Sequence, residues 1–140
     1  MKKQAYKKMR IVEALSFLCI AANVVVALCV YSDNPDVISP TIWNIIMYVG
    51  LTLLLLIPHL YNYPVPVTEE NKEQLYACGV ELAKLLKLIT TSSFFSMVLP
   101  IVSNPFVGIG IAFSTCFAIL FLLIYMYKKM KAIARETGSS

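Results

Sequence analysis

The sequence predicts an all-α integral membrane protein: four transmembrane helices in an antiparallel bundle, with both termini cytoplasmic. Three observations predict it. The composition is far too apolar for a soluble domain, the apolar residues gather in membrane-length runs, and the basic residues are confined to segments that fall on one side. Of 140 residues, 59% are apolar and 14% are charged, against about 45–50% and about 25% in soluble domains. The mean hydropathy of +0.73 excludes a soluble enzyme. It also excludes a disordered chain, which lacks apolar surface to bury.

A helix needs about 20 apolar residues to cross a hydrocarbon core of about 30 Å. The first span is Ile11 to Tyr31, IVEALSFLCIAANVVVALCVY. The basic stretch before it also suits a signal peptide. However, VVALC puts Leu28 where a cleavage box needs a small residue, and the apolar run is too long. An uncleaved span is expected. The second span covers 41–60, with Trp43 and Tyr48 near one end and Tyr61 and Tyr63 past the other as interfacial aromatics. The fourth, 106–127, has no charge and follows Pro105, a residue suited to the first turn of a helix.

The third span is the ambiguous one, because its uncharged part, Leu88 to Leu99, is too short alone. Leu75, Leu82, Leu86 and Ile89 extend an apolar stripe upstream. Thr68 is expected to cap the helix, with Glu69, Glu70 and Glu73 at its positive dipole end. A helix from Glu69 to Leu99 is about 46 Å long at about 1.5 Å per residue. The expectation is therefore a span at 80–99 and a cytoplasmic turn and helix start at 61–79, all within one domain, 1–140.

Charge tests this threading independently. All 12 basic residues lie at the N-terminus (Lys2 to Arg10), at Lys72, Lys84 and Lys87, or at Lys128 to Arg135. The connection SDNPDVISPT carries only Asp33 and Asp36, and Pro100 to Pro105 is uncharged. With four spans every basic segment falls on one side, which the positive-inside rule makes cytoplasmic. The chain is expected to be a multi-pass membrane protein with its basic segments and both termini on the cytoplasmic side. Its basic segments flank spans, so anionic lipid at the cytoplasmic face, worth about 1 kcal/mol per basic residue, explains them without nucleic acid.

No catalytic constellation, cofactor motif or metal set stands out. His59 is the only histidine, and no GxSxG, HExxH or Walker-type loop occurs. Cys19, Cys29, Cys78 and Cys116 form no CxxC and read as free thiols used in packing. The intramembrane polar residues are Glu13, Asn23, Asn44 and Thr91, among a set that includes Thr52, Thr90, Ser92, Ser93, Ser96, Ser114 and Thr115. Glu13 is expected to reach the cytoplasmic interface or pair with basic residues there. Asn23 needs a partner in Thr90 to Ser96, or at Ser114 or Thr115, as interhelical glue, a substrate contact being the alternative. Gly110, Ser114 and Ala118, with Gly108, Ala112 and Cys116, form small-residue rows that permit close helix packing within the chain or in a homodimer.

One segment is more individual, Pro58 to Tyr76, PHLYNYPVPVTEENKEQLY. It resembles a segment of a family of small bacterial, Bacteroidetes-type membrane proteins of unknown function, some of whose relatives are similar to the sporulation-delay immunity protein. The matching positions are Pro58, His59, Asn62, Tyr63, Pro64, Thr68, Glu69, Glu70 and Asn71, within a resemblance covering about 42–95. The chain departs from the family in its first outer loop, where SDNPDVISPT stands in place of a signature with Pro, His-Phe-Asn and Gly-Asp-Gly. The resemblance supports the topology more than an activity. With no reactive constellation in the chain, the expectation is a non-enzymatic accessory, immunity-like or regulatory protein of the bacterial cytoplasmic (inner) membrane, acting through protein or lipid contacts. A small transporter or channel-like oligomer is the alternative. His59, Tyr61, Asn62, Tyr63, Glu69 and Glu70 are the candidate contact or ligand site. The alternative for His59 is a plain backbone hydrogen bond where the span ends.

Overall fold

The structure, a computed structural model, describes residues 2–99 and 104–137, with side chains from Met9 onward except at Pro105. The described residues form four α-helices and no strand: α1 (Lys2–Val30), α2 (Ile38–Leu54), α3 (Lys72–Val98) and α4 (Pro105–Thr137). Short 3-10 turns at Pro35–Val37 and Pro58–Leu60 bracket α2.

No Gly or Pro interrupts α1, so it runs until Asn34 and Pro35 end it. Asn34 caps the following 3-10 turn by accepting from the Asp36 N–H at 3.2 Å. The second helix is shifted against the expected 41–60. It begins earlier because Pro40 sits in its first turn, where N–H groups have no intrahelical acceptor to lose. It ends at Leu54 because Pro58 disfavours helical backbone at the residue before it. The Leu54 carbonyl then accepts from the Ile57 N–H at 3.1 Å and from the Tyr61 hydroxyl at 2.6 Å.

Helix α3 starts at Lys72, not Glu69. Asn71 is the reason: its side chain accepts from the Thr68 N–H at 2.8 Å and donates to the Pro66 carbonyl at 3.1 Å. That pair of bonds holds residues 66–71 as a turn. Thr68 contributes its backbone, its carbonyl accepting from Asn71 and Lys72, and the cap position is Asn71 itself.

Cross-helix contacts give the arrangement. Glu13 meets Lys87 and Cys19 meets Ser92, so α1 and α3 run parallel. Asn44 meets Thr91 and Thr52 meets Lys87, so α2 is antiparallel to α3. Ser93 meets Thr115 and Glu81 meets Lys129, so α4 is antiparallel too. The chain runs up, down, up and down, with α3 packed against all three other helices. The starts of α1 and α3 and the end of α4 share one end of the bundle, the end that carries the basic residues.

Three segments are long and apolar enough to cross a membrane: Met9–Val30, Pro35–Leu54 and Phe106–Thr137. The third helix in sequence falls outside this set. It carries Glu81, Lys84 and Lys87, and its apolar partners are the other helices.

Polarity is inverted relative to a soluble fold. Ser16, Asn23, Asn44, Lys87 and Thr91 are completely buried, whereas Phe106 is 83% exposed and Phe17, Leu28, Phe113 and Phe121 are exposed with it. Apolar packing brackets this polar middle. Leu75, Cys78, Leu122, Met126 and Met130 pack at the basic end, and Ala27, Val37 and Val98 at the other.

Candidate functional site

The buried face of α3 repeats every four residues through Leu75, Gly79, Ala83, Lys87 and Thr91. Helical residues four apart share a face, so Lys87 is carried into the bundle with the small residues before it. Its ammonium donates to the Glu13 carboxylate of α1. It also donates to the Thr52 hydroxyl at 3.2 Å and lies 4.6 Å from the centre of the Tyr48 ring. Tyr48 and Thr52 are one turn apart on α2, so a single helix face supplies both. Lys84, one turn before Lys87, approaches the other Glu13 oxygen at 3.9 Å.

Beside this ion pair opens a cleft of about 400 Å³ lined by Arg10, Glu13, Ala14, Phe17, Tyr48 and Lys84. Glu13 pairs with basic residues, one of the two expectations for it, but its partners Lys87 and Lys84 stand on α3, across the bundle from its own helix. Lys87 itself was read only as one of the basic residues that fix topology. Its place in the Gly79, Ala83, Thr91 row is the sequence signal that identifies it.

The polar layer below is less complete. Asn44 donates to the Thr91 carbonyl at 3.4 Å. Asn23 has no hydrogen-bond partner for its oxygen or its nitrogen, contrary to the expected bond with the hydroxyl-rich stretch. Those hydroxyls are already used. Thr90, Thr91, Ser92, Ser93 and Ser96 each donate back to the carbonyl four residues earlier, as Ser and Thr do in apolar helices. Ser93 also meets Thr115 across to α4.

The six residues of the PHLYNYP to TEEN segment separate into groups. Tyr61, Asn62 and Tyr63 line an apolar cavity of about 410 Å³ with Gly79, Leu82 and Met126. Tyr63 donates to the Pro58 carbonyl at 2.8 Å and stacks on Tyr76 with ring centres 5.8 Å apart. Burial, and then its Tyr61, Tyr76 and Cys78 neighbours, push its hydroxyl pKa up to about 12. Gly79 makes this packing possible, because an added Cβ would lie 2.7 Å from both a Tyr61 ring carbon and the Tyr63 hydroxyl.

Glu69 and Glu70 line a different hollow, of about 360 Å³, with Thr68, Asn71 and Thr137, and Glu69 pairs with Lys72 at 2.9 Å. His59 is exposed on its 3-10 turn and lines neither cavity. At the same end, burial lowers the Lys129 pKa but the Glu81 carboxylate outweighs it, so the ammonium is held above its ordinary value.

Of the small-residue rows, Gly110, Ser114 and Ala118 face Ser92 and Ser96 across a gap of about 630 Å³. A Cβ at Gly110 meets nothing within 4 Å, so this row marks spacing and not backbone contact. Ala112 and Cys116 are exposed, and Gly108 is half-buried. Cys19, Cys29, Cys78 and Cys116 are free thiols, with Cys78 buried. Among the described residues no group of His, Cys, Asp and Glu is placed to hold a metal. Comparison with known proteins finds no family model, no curated protein and no solved structure that matches the chain.

Proposed function

We propose that the chain is a non-enzymatic, four-span protein of the bacterial cytoplasmic membrane, with both ends in the cytoplasm. It acts as an accessory, immunity-like or regulatory protein through protein or lipid contacts. The observation that carries this reading is the inverted polarity: complete burial of Asn23, Asn44, Lys87 and Thr91 beneath an exterior of Phe and Leu. Water disfavours that exterior, whereas hydrocarbon favours it and demands internal partners for polar groups.

Helix α3 joins the other three as a span, over about residues 80–99, because it lies inside them. Its Lys87 is carried inward and neutralised by Glu13, while Glu81 and Lys84 stay near the cytoplasmic interface. Lys87 has three N–H donors, engaged by Glu13, Thr52 and the Tyr48 face. That saturation supports a structural lock over a reactive amine.

Two measurements on the purified chain and its membranes test the proposal. The chain resists extraction by alkaline carbonate, and vesicles reconstituted with it hold proton and potassium gradients as well as protein-free vesicles do. Release by carbonate overturns membrane integration. Gradient loss caused by the chain overturns the accessory role in favour of a transporter or channel.

A further inference from the structure

The cleft beside the ion pair carries a charge imbalance. Arg10 and Lys84 line the cleft and the buried Lys87 lies behind it, three positive charges around Glu13, the only carboxylate among the described residues lining it. Glu81, one turn before Lys84, is committed to Lys129. Lys87 takes up the Glu13 charge at short range, and Lys84, whose side chain is 22% exposed, stands 3.9 Å off. Among the described residues no carboxylate pairs with Arg10, which is exposed at the cleft mouth. Glu13 is thus shared between Lys87 and Lys84, the four groups together carry a net charge of +2, and Arg10 and Lys84 face one volume of about 400 Å³.

Its walls change character with depth. Along α1 the lining runs from Arg10 through Ala14 to Phe17, about 10 Å at about 1.5 Å per residue. That drop is on the scale of the interfacial layer, about 5–8 Å thick on each face of a bilayer. Beyond it Phe17 and Leu18 are exposed and apolar. A ligand that fits has an anionic head at the Arg10 and Lys84 level and a hydrocarbon body against Phe17. We infer that this cleft binds the phosphate of an anionic phospholipid, Arg10 and Lys84 holding the phosphate oxygens while an acyl chain lies along Phe17. A guanidinium fork matches two phosphate oxygens, and basic pockets between membrane helices on the cytoplasmic side recognise such headgroups. The inference rests on the membrane reading and adds a defined lipid site to it.

The test is native mass spectrometry of the full chain in mixed micelles containing phosphatidylglycerol or phosphatidylcholine. The wild type is expected to retain one phosphatidylglycerol about thirtyfold better than phosphatidylcholine, for about 1 kcal/mol from each of two basic residues. Arg10→Gln with Lys84→Gln should abolish that preference. Lys128→Gln with Lys131→Gln, the same charge change elsewhere, should leave it within about twofold.

Equal loss in both double variants, or no preference in the wild type, overturns the site. Displacement of the lipid by millimolar inorganic phosphate or glycerol 3-phosphate overturns the lipid in favour of a free phosphate. Should the Arg10 and Lys84 variant fail to fold, Phe17→Trp in a Trp43→Phe chain reads the same cleft. Brominated phosphatidylglycerol should quench it more strongly than brominated phosphatidylcholine, and equal quenching overturns the proposal. Carbonate extraction of the wild type, run in parallel, reports separately on the membrane reading.

Discussion

Glu13 of α1 and Lys87 of α3 are ion-paired across 74 residues of sequence, with the lysine completely buried. The pair fixes the register of two parallel helices and places the only fully buried charge among the described residues against the faces of Tyr48 and Thr52. Removing one partner of such a pair leaves an uncompensated charge, at a cost of about 3–5 kcal/mol, whereas replacing both with apolar groups is often neutral. Lys87→Met or Glu13→Leu alone should each lower unfolding stability in detergent by about that much. The double variant should recover most of it. Additive losses would show that the two side chains do not interact.

Among Gly50, Gly79 and Gly110, bulk is least tolerable at Gly79. Its Cβ would intrude on Tyr61 and Tyr63 at 2.7 Å, while one at Gly110 would meet open space. Gly79→Ala should cost about 1–3 kcal/mol, the usual range for overpacking, and Gly110→Ala should stay within about 0.5 kcal/mol. Thermal unfolding of both variants in one detergent decides. Equal losses would contradict the placement of the Tyr61 and Tyr63 turn.

Asn23 is buried with no partner for either polar atom. An unsatisfied buried amide costs about 1–3 kcal/mol, and an apolar group of similar shape removes the penalty. Asn23→Leu should therefore leave stability unchanged or raise it, while Asn44→Leu, which loses the bond to Thr91, should gain less. A clear loss at Asn23 would point to an unseen partner for that amide.

Tyr63 should titrate late. Its pKa is raised to about 12 from 10.0, so the folded state holds the phenolic proton more tightly than the unfolded state does. The associated stability is fully present below about pH 10 and is lost as pH rises toward 12. Absorbance titration should show the component removed by Tyr63→Phe ionising after the bulk of the tyrosines. Ionisation of that component near pH 10 would contradict the buried placement.

The sequence made some of this legible and hid the rest for physical reasons. Composition and run length marked α1, α2 and α4 as membrane-length helices, since those depend on local hydropathy alone. The ends of α2 and the start of α3 were less legible because Pro40 tolerates a first turn and Asn71 ties down a loop through its side chain. At the site, Glu13, Asn23, Asn44 and Thr91 were recognisable as polar exceptions in or near apolar runs. Their partners were not, because pairing across helices is set by register, and register emerges only once α3 lies among the other three. Lys87 shows the difficulty most clearly: by charge it belongs with the cytoplasmic lysines, and by its spacing from Gly79 and Ala83 it belongs in the interior.

Whether α3 crosses the membrane is the central claim, and the side on which the chain ends decides it. In a chain with all four native cysteines replaced, single cysteines at Ser39 and Ser139 can be labelled in intact cells with an impermeant maleimide. Four spans place Ser39 outside and Ser139 in the cytoplasm, so the account predicts labelling at Ser39 and none at Ser139 until the cells are opened. Labelling of Ser139 together with Ser39 in intact cells would mean that the C-terminus lies outside, that only three helices span, and that α3 does not cross.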